Sequence, residues 1–173
     1  TQSVNLRGIG SASGSPAVAN GVATYIDGIF QPPIVTSSSF YYIGSIEVRS
    51  GPPGTLVGSN CTGGAIFINT ANPNTKGLGG YLEGHYGSFN AVGLEGALNL
   101  PVTDTLAIRT AGITRWRDSY YKDVGPFHNH PDSLDEQAGR IGVMWQPGDF
   151  RALAKVEWVD KNTGGYAYRP IEG

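Results

Sequence analysis

The chain has a single cysteine, a single methionine and no run approaching the ~20 apolar residues that a membrane helix needs. One cysteine, Cys61, excludes an intrachain disulfide framework and leaves the redox compartment open; its expected role is that of a small packed side chain. Charge is also scarce, at 15% of 173 residues, and the formal net charge is -2 with a pI near 5.8. With no basic excess, a nucleic-acid partner is not implied. No basic and apolar leader opens the chain at Thr1. Any membrane span must therefore be built from strands.

What is abundant is glycine, 26 residues, with 11 prolines and 10% aromatics. That composition is too poor in helix formers for a bundle and too aromatic for a linker, so the chain reads as mainly β. Glycine and proline concentrate at Gly51, Pro52, Pro53, Gly54, Gly58, Gly63 and Gly64, just before a short apolar strand. Such a stretch specifies a shape, either a ligand-facing loop or a tight corner. Up to Lys76 the pattern is of short strands separated by Ser, Gly and Pro: residues 4–7, 21–30, 45–49 and 65–69. A helical turn is allowed over residues 37–44, and Asn72-Pro73-Asn74 marks a linker.

Beyond the linker, residues 81–86, 92–99, 106–117, 138–145 and 151–159 read as five strands. Alternation sorts each into two faces. One carries Leu82, Tyr86, Val92, Leu94, Leu98, Leu106, Ile108, Trp116, Ile141, Val143, Trp145, Val156 and Trp158 and no charge. The other carries Glu83, Glu95, Arg109, Arg115, Arg117, Arg140, Arg151, Lys155 and Glu157, with His85 beside them. The turns at residues 101–104 and 146–149 are tight, whereas residues 118–137 form a long polar excursion. Short turns on one rim, longer loops on the other and tryptophans at the strand ends are the pattern of an outer-membrane barrel.

Three stretches in the first half, Arg7-Gly8-Ile9-Gly10, then Val22-Ala23-Thr24-Tyr25-Ile26-Asp27-Gly28, then Ile46-Glu47-Val48 leading into the glycine-rich segment, resemble the plug domain of TonB-dependent outer-membrane receptors. Gly79-Gly80-Tyr81-Leu82-Glu83, Tyr86-Gly87-Ser88-Phe89-Asn90, Asn99-Leu100-Pro101 and residues 104–109 resemble the first barrel strands of the same family. The chain departs from the family pattern at Ser50, Pro53, Val57, Ser59 and Cys61 while keeping the glycine framework.

The resemblance implies a small mixed plug domain, partial and covering residues 1–76, followed by the first antiparallel strands of a large transmembrane β-barrel over residues 77–173. Five strands cannot close a barrel around a plug, so a fragment is expected. The implied function is energy-coupled uptake, without enzymatic chemistry, of a scarce ligand such as a ferric siderophore across the outer membrane of a Gram-negative bacterium. Partners would be the TonB complex, engaged through a missing N-terminal segment, the ligand and outer-membrane lipid. No cofactor is implied, although the ligand can carry iron. Plug-tip positions that match ligand contacts in relatives are Arg7, Gln31, Pro32, Pro33 and Val57. Glu83, His85, Glu95, Arg109, Arg115 and Arg140 would make polar contacts between barrel and plug.

Two other classes use the same residues: a soluble β-rich carbohydrate-binding module with exposed aromatics, and a β-rich hydrolase with Glu83 or Glu95 as acid or base. His128 and His130 offer only two metal ligands and read as a solvated loop. Asn60-Cys61-Thr62 is a chance glycosylation match, and Gly8-x-Gly10 lacks the βαβ context of a dinucleotide loop.

Overall fold

The computed structural model describes residues 5–6, 9–10, 21–31, 40–51, 63–121 and 130–165. These form eleven strands and no helix, and the chain divides into two compact units, Thr1–Ala71 and Asn72–Gly173.

In the first unit, β1 (Asn5–Leu6) pairs with β2 (Ile9–Gly10), and a second sheet has the order β4-β3-β6-β5. The inner pair, β3 (Val22–Ile26) and β6 (Gly64–Thr70), is parallel, while β4 (Ile29–Gln31) and β5 (Ile43–Ser50) flank it antiparallel. Small residues make the close core: Ala23 and Ala65 are buried, and Tyr25 and Phe67 pack against them with their rings stacked on each other at 5.2 Å between centroids. Asp27 and Gly28 turn the β3–β4 hairpin with φ of 48° and 82°, as a two-residue turn of the I′ kind demands. Asp27 then accepts from the Thr70 amide at 2.9 Å and its hydroxyl at 2.5 Å, tying that turn to the end of β6. Of the turn expected over residues 37–44, residues 37–39 lie outside the described part and Ile43 and Gly44 are strand, continuing the ladder to β6. Between β5 and β6, Gly51, at φ 86°, donates to the Gly63 carbonyl, and residues 52–62 of the glycine-rich stretch lie outside the described part.

The second unit is one antiparallel meander, β7 (Gly79–Gly87), β8 (Ala91–Pro101), β9 (Leu106–Arg117), β10 (Leu134–Trp145) and β11 (Ala152–Thr163). Its register aligns the apolar positions in rows, one running Leu82, Gly96, Gly112, Gly139 and Trp158. All five strand phases read from alternation agree with that register.

Strand ends and connections differ from expectation. The β7–β8 connection is a tight turn at residues 88–90, with Phe89 and Asn90 in the left-handed region, so the long rim owes its length to residues 118–133 alone. β10 and β11 extend further than expected, and Arg151 lies just before β11. The extension puts Asp135 and Asp160 on the face read as charge-free, at the end nearest the long connection. On β10 and β11 the apolar band ends below them, at Gly139 and Trp158, while on β8 and β9 it reaches Val92 and Trp116. A band oblique to the hydrogen-bonded rows is what strands tilted in a membrane require.

Candidate functional site

Burial in the second unit is inverted relative to a water-soluble sheet. The apolar face is open, with Leu82 76%, Tyr86 81% and Val156 73% exposed, whereas Glu136 and Arg140 on the charged face are 2% and 9% exposed. In β10 the pattern is strict: Glu136, Ala138, Arg140, Gly142 and Met144 are buried, and Asp135, Gln137, Ile141, Val143 and Trp145 are exposed. An exposed face of this size and polarity fits lipid rather than water. Strands β8 to β11, at 11 or 12 residues each, meet the ~9–11 tilted residues that a crossing needs.

The charged face, buried on the inner strands and open on β7 and β11, holds its charges by pairing them laterally. On β7, Tyr81 donates its hydroxyl to Glu95 of β8, Arg115 of β9 lies 3.8 Å from Glu95 and 3.7 Å from Glu136 of β10, and Lys161 of β11 lies 3.7 Å from Glu136. One belt thus crosses all five strands. Arg140 donates to Glu157 at 2.8 Å across the next pair, and His85 stands 3.6 Å from Glu83. Arg109 donates to the Asn72 carbonyl. Buried charge is costly unless partnered, and here Glu95, Glu136 and Glu157 each meet an opposite charge on a neighbouring strand.

At the long-connection end, Arg117 stacks over Tyr120 at 3.8 Å and donates to its hydroxyl and to the Asp132 carbonyl, both at 2.6 Å. Phe89 meets the Tyr120 ring edge-on, and Asn90 donates to Asp118 at 2.7 Å. The two loops of this rim are therefore tied at their roots, leaving Tyr120 and Tyr121 exposed.

Glu83, His85, Glu95, Arg109, Arg115 and Arg140 each have a partner within the second unit itself. Glu83 and Glu95 stand opposite one another in the β7–β8 register, but Glu95 is held by Tyr81 and Arg115 and Glu83 lies beside His85. Gln31 ends β4 and donates to the Ile29 carbonyl at 3.2 Å; Arg7, Pro32, Pro33 and Val57 lie outside the described residues. So does His128, while His130 is exposed. Among the described residues no group of three or more His, Cys, Asp or Glu could hold a metal.

Sequence reading missed Tyr81, Asn99, Glu136 and Lys161. Glu136 and Lys161 lay beyond the expected strand bounds. Asn99, almost fully buried, was signalled only by being an asparagine inside a strand, where that residue is depleted.

No protein-family model matches the chain. It is 32% identical over 117 residues to the pesticin receptor of Yersinia enterocolitica, and equally to that of Yersinia pestis; the match covers 66% of this chain and 17% of the receptor's length. Among solved structures, the ferric yersiniabactin uptake receptor FyuA of Yersinia pestis superposes with a TM-score of 0.76 at 25% identity, over 90% of this chain and 25% of that one. The FrpB iron transporter of Neisseria meningitidis, at 14% identity and TM-score 0.60, shares the fold over 83% of this chain and 25% of its own. The siderophore receptor PirA of Acinetobacter baumannii shares it at 16% identity and TM-score 0.57, over 83% and 24%. A mainly β chain whose antiparallel wall opens its apolar face and pairs charges on the other is thus, over part of their length, a homologue of the pesticin receptor and of FyuA, and is similar to TonB-dependent outer-membrane receptors.

Proposed function

We propose that the chain is part of a transporter that brings a ferric siderophore or another iron complex across the outer membrane of a Gram-negative bacterium, powered through TonB, with no enzymatic step. The inverted polarity of the second unit carries this reading: a lipid-facing exterior and a wall of paired charge behind it. The named cargo of the FyuA relative, ferric yersiniabactin, supports the ligand class.

In this reading residues 1–76 belong to a plug and residues 77–173 are the first strands of a larger barrel. The β7–β11 sheet has its two end strands each paired on one side only, which lipid would not tolerate without further strands. Glu83, His85, Glu95, Arg109, Arg115 and Arg140 line the lumen side, where a polar wall lets a plug part from it through modest contacts broken in turn. Arg7, Gln31, Pro32, Pro33 and Val57 are the proposed ligand contacts at the plug tip.

The test is uptake of radiolabelled ferric yersiniabactin by cells whose only siderophore receptor is the full receptor bearing this segment. Accumulation that requires TonB supports the reading. Equal accumulation with and without TonB, or a receptor folded in buffer without detergent, would overturn it. Replacing Arg7 and Gln31 with alanine should weaken binding of the same complex; unchanged affinity in both removes them as contacts.

A further inference from the structure

Residues 72–77 run from the end of the first unit to the start of β7, and one row of the wall holds them. Asn99 of β8, Arg109 of β9 and Gly142 of β10 stand side by side in register. The Asn99 carboxamide accepts from the Asn74 amide at 3.0 Å and donates to the carbonyls of Asn74 at 2.9 Å and Gly77 at 2.8 Å. Arg109 donates to the Asn72 carbonyl. Pro73 is buried against Gly142, where an added Cβ would come within 3.2 Å of the proline ring. The side chain at 99 must both accept from and donate to one residue's main chain. Among residues of this size only a carboxamide does so; aspartate lacks the donor and leucine lacks both.

We propose that residues 72–77 are a strap fixed to the wall by Asn99, Arg109 and Gly142, and that a pull on the upstream unit is borne there. The upstream unit moves, while the strap stays on the wall. This deepens the uptake reading and rests on it for its purpose. The three anchors act at four residues, on the backbone of 72, 74 and 77 and against the ring of Pro73, so no single bond carries the load.

The test is single-molecule pulling on the N-terminus of the full receptor in lipid vesicles. A Pro73→Cys/Gly142→Cys pair in a Cys61→Ser background, closed by oxidation, locks the strap to the wall. Locked and unlocked receptors should release the same contour length before the barrel yields, and the double variant Asn99→Leu/Arg109→Leu, which removes the bonds at 72, 74 and 77, should lengthen the unlocked release by about 2 nm, six residues at ~3.5 Å each. If the unlocked receptor already releases about 1.4 nm more than the locked one, the four residues 74–77 at ~3.5 Å each, the strap is not fixed and the proposal fails. An unchanged length in Asn99→Leu/Arg109→Leu would likewise remove both side chains as its anchors. The measurement needs no ligand and no TonB, so failed uptake by the unmodified receptor would strike the transport reading alone.

Discussion

An arginine placed at Ile141 separates a wall in lipid from a sheet in water. Ile141 is 54% exposed, lies between Thr110 and Val156 in register, and sits near mid-height of the open face. If that face met water, a half-exposed isoleucine would tolerate arginine within about 0.5 kcal/mol. In a bilayer the same change puts a guanidinium close to the midplane, where the cost for a barrel is about 2–4 kcal/mol. Asp135→Arg, on the same face but at its polar end, should cost about 0–1 kcal/mol. At 1.4 kcal/mol per tenfold the two sites should differ at least several-fold in folding equilibrium. The assay is guanidinium titration of the full receptor refolded into phospholipid vesicles. Equal midpoints for Ile141→Arg and Asp135→Arg, both close to wild type, would refute the lipid-facing assignment.

Glu136→Ala removes the carboxylate between Arg115 and Lys161 from a side chain only 3% exposed, and should cost about 3 kcal/mol in the same titration, whereas Glu83→Ala, exposed beside His85, should cost less than about 1. Gly80→Ala would press its Cβ to 2.5 Å from the Ala97 carbonyl oxygen, which is backbone and cannot swing away, so the folded receptor should lose thermal stability; Gly84→Ala, whose nearest neighbour is at 3.9 Å, should be neutral or better by the unheated-gel shift. Asp27→Ala loses both bonds to Thr70 and should speed exchange of the Thr70 amide about tenfold, while Asp27→Asn, which suits the left-handed φ of 48° and keeps an acceptor, should do so less.

Alternation was enough to find the five wall strands and their faces, because each strand repeats a contrast of open apolar side chains against charged ones every second residue. It failed where that contrast fades. Asp135, Gln137, Asp160 and Asn162 rise above the apolar band, so their sequence resembles a loop although the ladder continues through them. Glu136 and Lys161 were lost with those ends, and with them half of the charged belt. Pairings such as Arg115 with Glu136 depend on register, which no strand states by itself. The Asn99 anchor depends on the chain folding back over its own wall, a long-range event that leaves only an odd asparagine as a trace. In the first unit residues 21–30 read as one strand, whereas Asp27 and Gly28 turn the chain between β3 and β4, and the parallel pairing of β3 with β6 across the intervening β4 and β5 was not legible either.

Single cysteines along β10, residues 138–145, introduced one at a time into the full receptor with Cys61 replaced and each carrying a nitroxide label, measure the central claim directly. Labels at 139, 141, 143 and 145 should collide with lipid-dissolved oxygen, and those at 138, 140, 142 and 144 should not, in strict alternation along the strand. Uniform collision along β10, or alternation with the opposite phase, would contradict a wall that turns its apolar face to lipid and its charges inward.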